Sequence, residues 1–233
     1  IGVVTIDSPP VNALSQAVRQ GILDGLNAAI ADESVKAIVL ICAGRTFIAG
    51  ADITEFDKPP MAPWLDTVIE AMEASPKIIV AAIHGTALGG GLETALGCHY
   101  RVAVASALCG LPEVKLGILP GAGGTQRLPR VIGVEAATQA ITTGEFIKAP
   151  KAHQLGLIDA IIEGDLLAGA VAYAEKLAAE GAPLRKVRDM GEKVAQVPAG
   201  FFDMARTMAA KQARGYVAPQ RCIDAVEAAT TLP

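Results

Sequence analysis

Charge is scarce in this 233-residue chain. Asp, Glu, Lys and Arg make up 19% of it, and the formal net charge is only −4. No Lys/Arg-rich run occurs, so the chain has no electrostatic footprint for nucleic acid. Long hydrophobic runs are missing too. The stretch from Ile78 to Leu92 has 15 uncharged residues, is broken by glycine and ends at Glu93, which is too short to span a bilayer. The four cysteines, Cys42, Cys98, Cys109 and Cys222, lie far apart with no Cys-x-x-Cys pair. That usage reads as reduced thiols in a reducing intracellular compartment. Of the three histidines, His84, His99 and His153, none has a ligand partner at i+4, which excludes a His-Glu-x-x-His zinc site. His99, beside Cys98 in an apolar region, reads as structural. Gly-x-Ser-x-Gly, Gly-x-Gly-x-x-Gly and a terminal Gly-Lys-Ser/Thr are all absent. A nucleophile elbow, a dinucleotide fingerprint and a P-loop are therefore not expected.

Apolar residues, by contrast, make up 52% of the chain, enough for a large core and far from the composition of disorder. Val3 to Ile6 reads as a short strand that ends in the turn cluster Asp7-Ser8-Pro9-Pro10. A helix is predicted from Ser15 as N-cap, with Val18, Ile22, Leu26, Ala29 and Ile30 on one stripe. The continuous apolar runs within Lys36–Cys42 and Ile78–Ile83 read as strands buried on both faces. Between them lie a glycine-rich loop (43–52), an irregular segment at Lys58-Pro59-Pro60, and a helix near Leu65 to Ala74. The run His84 to Gly91 is expected to be irregular, with a helix beginning at Leu92. Short strands are expected at Arg101–Ala105, Ala107–Cys109 and Leu157–Ile162. From Glu135 the chain reads as mainly helical, with a clear helix at Leu166–Ala179 and a linker-like stretch from Gly191 to Gly200. Short buried strands alternating with helices argue for an α/β fold.

Three elements could carry chemistry. In Gly89-Gly90-Gly91-Leu92-Glu93, consecutive glycines suit close backbone approach or positive φ. A helix starting there would aim free N–H groups and a positive dipole end at a developing negative charge. The segment Phe47 to Ile53 could present another N–H. In Leu111-Pro112-Glu113, a carboxylate desolvated in an apolar setting would hold a proton near neutral pH. Each element alone is equally compatible with an ordinary turn or a solvated surface acid.

Taken together they make the sequence recognisable. It resembles the crotonase superfamily of enoyl-CoA hydratases and isomerases through Pro10-Val11-Asn12-Ala13-Leu14, Phe47 to Ile53, Ala87 to Glu93, and Leu111-Pro112-Glu113 with Gly117 to Leu128. It is especially similar to the N-terminal part of the multifunctional β-oxidation enzymes, through Gly97-Cys98-His99-Tyr100-Arg101-Val102-Ala103, Leu116 to Gly121, and Tyr216-Val217-Ala218-Pro219 with Cys222.

The resemblance implies a spiral of ββα repeats followed by helices: a crotonase-like core over 1–180 and an α-helical region or linker over 181–233. It implies Glu93 and Glu113, 20 residues apart, as the catalytic acids. Ala51 and Gly90, with Gly91 adjacent, would supply the oxyanion hole. Val11, Ala13, Ala49, Asp52 and Ile53 would line the path of coenzyme A. Thr54 stands where many hydratases have Lys, and His99 stands where Asp is frequent. The implied activity is addition of water to 2-trans-enoyl-CoA, with 3-enoyl to 2-enoyl isomerisation as an accompaniment. The alternatives are a main activity of isomerisation, or a non-catalytic acyl-CoA-binding module. No metal or redox cofactor is implied, CoA being part of the substrate, and no NAD site is expected in this chain. The expected partner is an acyl-CoA thioester, not nucleic acid or membrane. A homotrimer is one expected assembly. The other is covalent continuation into a 3-hydroxyacyl-CoA dehydrogenase part, because the chain starts at Ile1 without Met and ends at Pro233, where such relatives continue. The implied location is cytoplasmic in a bacterium and peroxisomal in a eukaryote.

Overall fold

A computed structural model describes residues 1–55, 57–59 and 61–232; Pro60 of the expected irregular segment and Pro233 lie outside it. In chain order the strands are β1 (Gly2–Ile6), β2 (Ala37–Cys42), β3 (Ile78–Ile83), β4 (Thr86–Leu88), β5 (Tyr100–Val104), β6 (Leu108–Gly110), β7 (Ile147–Lys148) and β8 (Ala160–Ile162). The helices are α1 (Gln16–Ala31), α2 (Leu65–Glu73), α3 (Gly90–Gly97), α4 (Gly124–Ile132), α5 (Val134–Thr143), α6 (Ala149–Leu155), α7 (Leu166–Ala179), α8 (Phe201–Gln212) and α9 (Ala218–Thr231). Short 3₁₀ turns cover Ile53–Glu55, Pro112–Leu116 and Val187–Asp189. Among the described residues, no helix is long and apolar enough to cross a membrane.

Five strands form a parallel sheet in the order β1-β2-β3-β5-β8. Every residue of β2 and β3 is buried, which explains their unbroken apolar runs. Successive side chains of β2 serve opposite faces. Ile38, Leu40 and Cys42 enter the larger core, while Ala37, Val39 and Ile41 enter a second core closed by Ala170, Ala174 and Leu177 of α7. A smaller sheet, β4-β6-β7, joins β4 and β6 in parallel and β6 and β7 antiparallel. Thus β3 passes from the large sheet to β4 in the small one and then to α3, and β5 passes likewise to β6. This is the expected ββα spiral. Phe202 of α8 and Ala218, Cys222, Ile223 and Val226 of α9 join the larger core, so the C-terminal helices share it.

Some local expectations needed correction. The run 84–91, expected to be irregular, contains β4, and α3 starts at Gly90 rather than Leu92. Glycine in a first helical turn costs about 1 kcal/mol relative to alanine. Here the absent side chains admit Leu14 and Leu65 against Gly90, and tertiary packing outweighs propensity. Helix α4 was not anticipated, because Pro129 inside it and its polar start resemble a breaker, and the two-residue β7 carries no periodicity. Elsewhere the reading holds closely. Ser15 caps α1 by accepting the Val18 N–H at 3.3 Å, and the bounds of β3 and α7 coincide with those expected. His99 is buried, and its Nδ1 accepts the Ile79 N–H at 3.0 Å, a structural use.

Candidate active site

A cavity of about 460 Å³ opens where the loop after β2, the start of α3, the 3₁₀ turn Pro112–Leu116 and the 118–122 segment meet. Ala49, Ala51, Ile53, Gly90, Glu93 and Glu113 all line it, although they come from separate parts of the chain.

Backbone hydrogen bonds hold the loop after β2. The Phe47 N–H donates to the His84 carbonyl (2.8 Å), the Ala49 N–H to Val11 (3.2 Å), and the Leu14 N–H to Gly50 (2.9 Å). Asn12 is buried and serves the same loop, donating from Nδ2 to the carbonyls of Ala43 and Thr46, both at 2.9 Å. Val11 and Asn12 therefore act from behind the loop. Neither Val11 nor Ala13 is among the described residues lining the cavity. Asp52 lies in an adjoining depression of about 310 Å³, which shares Ala51, Trp64 and Leu65 with the cavity.

On the opposite side, Gly89 turns the chain from β4 into α3 with φ +53°, a left-handed conformation open to glycine. A Cβ there would stand 2.9 Å from Glu113 Oε1, so the same glycine makes room for that carboxylate. Gly91 does not line the cavity. It packs behind it, where a Cβ would collide with the Ile48 carbonyl. Gly90 is the first residue of α3, and its N–H lies among those no helical carbonyl can reach. Among the described residues, no backbone carbonyl takes the N–H of Gly90 or of Ala51.

The two carboxylates sit in different surroundings. Glu93, 3% exposed, accepts the N–H groups of Ala122 and Gly124 on Oε1, both at 2.8 Å. Burial raises its proton affinity above the ordinary carboxyl value, and the two N–H groups and the Arg127 charge only partly offset that rise. Glu113 Oε2 is buried and has no hydrogen-bond partner among the described residues. Burial pushes Glu113 up to about 7, its own backbone N–H opposes the shift, and the Glu93 charge adds to it. Both carboxyls thus bind a proton more tightly than usual, and they differ in that Glu93 meets two N–H donors and a nearby cation, whereas Glu113 Oε2 meets no donor among the described residues.

Sequence reasoning missed the apolar rim made by Trp64, Leu116 and Ile118, which are exposed, with Leu65 and Leu119 behind them. It also missed the donors on Glu93. The glycine cluster 121–124 was the available signal, because an ordered, glycine-rich turn presents its N–H groups unobstructed.

The family model described as enoyl-CoA hydratase/isomerase matches residues 1–198, and the chain belongs to that family. It is 44% identical to the peroxisomal bifunctional enzyme of Danio rerio over 230 residues, which is 99% of this chain and 32% of that protein. It is also 43% identical to a probable enoyl-CoA hydratase of Bacillus subtilis over 187 residues, covering 76% of this chain and 72% of the relative. Among solved structures, an enoyl-CoA hydratase subunit of Geobacillus kaustophilus is similar with a TM-score of 0.69 and 31% identity, over 99% of this chain and 86% of the other. The resemblance to the crotonase superfamily and its multifunctional members therefore holds along the whole chain. The chain spans about a third of the length of the bifunctional enzymes it matches.

Proposed function

We propose that this chain hydrates 2-trans-enoyl-CoA to 3-hydroxyacyl-CoA in fatty-acid β-oxidation. The carrying observation is that Glu93 and Glu113 line one cavity with Ala51 and Gly90, whose N–H groups no backbone carbonyl takes among the described residues.

Water adds to the β-carbon of an enoyl thioester only if negative charge can build up on the thioester oxygen. The N–H groups of Ala51 and Gly90 would meet that charge without reorganisation, and losing one such donor costs about 10²–10³ in rate. Glu93, with its donors favouring the charged form, takes the proton from water as the oxygen attacks. Glu113, which holds a proton near neutral pH, delivers it to the α-carbon. Proton transfer by a positioned group contributes about 10²–10⁴-fold. The chemistry needs no cofactor beyond the CoA that the substrate carries. The exposed apolar rim suits an acyl thioester better than a polar metabolite.

The near-neutral proton affinity of Glu113 also suits a single group that moves a proton between the γ- and α-carbons. It favours 3-enoyl to 2-enoyl isomerisation as a second activity at the same site. By analogy with the bifunctional relatives, the substrate enters in series with a dehydrogenase part. The location is a peroxisome in a eukaryote and the cytoplasm in a bacterium. Four free, buried cysteines fit a reducing compartment.

The test is incubation with crotonyl-CoA, following loss of the conjugated absorbance and formation of 3-hydroxybutyryl-CoA. A folded protein that leaves the absorbance unchanged would refute hydration.

A further inference from the structure

Behind Glu93 lies a buried ion pair that the hydration chemistry does not use. Arg127 of α4 faces Glu73 of α2 in a two-pronged contact, Nε to Oε1 and Nη2 to Oε2, both at 2.9 Å. Both residues are buried. The third guanidinium nitrogen, Nη1, points back along the chain and donates to the Ala122 carbonyl at 3.2 Å. The N–H of Ala122 itself, and that of Gly124 two residues on, are the donors to Glu93 Oε1. The Arg127 N–H also closes this turn on the Gly123 carbonyl at 2.9 Å.

We propose that Arg127, held by Glu73, is a positioning residue for Glu93: it fixes the 121–124 turn so that the Ala122 and Gly124 N–H groups converge on one carboxylate oxygen. The proposal rests on the reading of Glu93 as the base that takes the proton from water. A fork held by two carboxylate oxygens has little freedom to rotate, so its remaining nitrogen sets the Ala122 peptide plane. Lysine offers one mobile point charge and cannot reproduce that geometry.

The charge of Arg127 acts in the same direction. Glu93 faces Glu113 across the cavity, Asp66 of α2 on its wall, and Arg127 of α4 with Glu73 behind it. Helix α3 and strand β4 hold no other charged residue. Arg130 of α4 and Arg188, 3.7 Å from Glu73, stand nearby, but the charge that favours ionised Glu93 is that of Arg127. Removing it raises the proton affinity of Glu93 and moves the acid limb of the rate profile to higher pH.

Removing one partner alone would strand a buried charge and endanger folding. The decisive variant is therefore the double substitution Glu73→Leu/Arg127→Met, which removes both members of the buried pair and deprives only the exposed Arg188, 3.7 Å from Glu73, of that partner. With crotonyl-CoA we expect kcat to fall at least tenfold, KM to stay within about twofold, and the acid limb of kcat to move upward in pH. Arg127→Lys keeps the charge and loses the fork, so kcat falls several-fold while the acid limb stays in place. A folded double variant with wild-type kcat and pH profile overturns the proposal. So does a loss of kcat with an unmoved acid limb, which would mark a merely structural pair. If the double variant does not fold, Arg127→Lys decides, and wild-type kcat there overturns the proposal. Failure of the wild-type chain to hydrate crotonyl-CoA would instead remove the reading on which the inference rests.

Discussion

The two walls of the cavity carry the same side chain and treat it in opposite ways. On the Glu93 wall, two backbone N–H groups at the start of α4 meet one oxygen, and a buried guanidinium stands behind the turn that presents them. On the Glu113 wall, burial is met by no donor at Oε2 among the described residues, and burial pushes Glu113 up to about 7. Burial pushes both carboxyls toward the neutral form; donors and the Arg127 charge oppose it at Glu93, while the Glu93 charge adds to it at Glu113. The proposed division into base and acid rests on this difference between a wall of peptide N–H groups and one largely of hydrocarbon.

The comparison breaks most completely if either carboxyl is replaced. Glu113→Gln should lower both hydration and isomerisation by about 10²–10⁴, the contribution of a positioned proton carrier. Glu93→Gln should cost hydration a similar factor and isomerisation clearly less, as read by crotonyl-CoA and 3-enoyl-CoA assays on the same preparations. Small, equal losses in both activities for both variants would sink the division of roles.

Next in size is the proposed oxyanion site at Ala51 and Gly90. Gly90→Pro deletes one donor and should reduce turnover by about 10²–10³ while CoA-thioester binding persists, checked by kinetics and by calorimetry with a saturated acyl-CoA. Retention of near-wild-type turnover would place the donor elsewhere.

The pH dependence sharpens the contrast. With Glu113 as proton donor, kcat/KM should fall as pH rises above about 7, because the donor loses its proton. It should also fall on the acid side as Glu93 is neutralised. Because the two acids interact, the limbs belong to the pair rather than to either residue. A flat profile from pH 5 to 9 would contradict the assignment.

The smallest effect concerns stability. Glu113 binds its proton more tightly in the folded chain than in the unfolded one, so its contribution is full below its ordinary carboxyl value. That contribution is lost as pH rises through about 7. Glu113→Gln should therefore stabilise the protein at pH 8, by roughly 1–2 kcal/mol after allowance for solvent contact, and change little at pH 4. Denaturant melts at the two pH values measure this. An equal effect at both would show that Glu113 does not titrate as its surroundings require.

Much of the fold was legible because its signals are local. The runs in β2 and β3 are continuous since both faces of the sheet are covered, and Ser15 marks its own helix. Helix α4 and strand β4 were hidden for the complementary reason. Glycine, proline and polar residues there contradict local propensity, and packing such as that of α4 on α5 and α9 and of β4 on β6 and α3 stabilises those elements.

The same division runs through the site. The sequence by itself determined that two glutamates, two glycine-rich loops and an apolar setting belong to one chain, and its motif order identified the family. It left open whether Glu113, after leucine and proline, is desolvated or a solvated loop acid; burial in the folded chain decides that. Only the tertiary structure decided that the Val11 carbonyl holds the Ala49 N–H, that Gly91 packs against Ile48, and that Glu93 is served by Ala122 and Gly124. The physical reason is that the proton affinity and reach of a side chain depend on which dipoles and charges surround it in space. For Glu93 those come from residues 29 and 31 positions along the chain, a separation that no local pattern encodes.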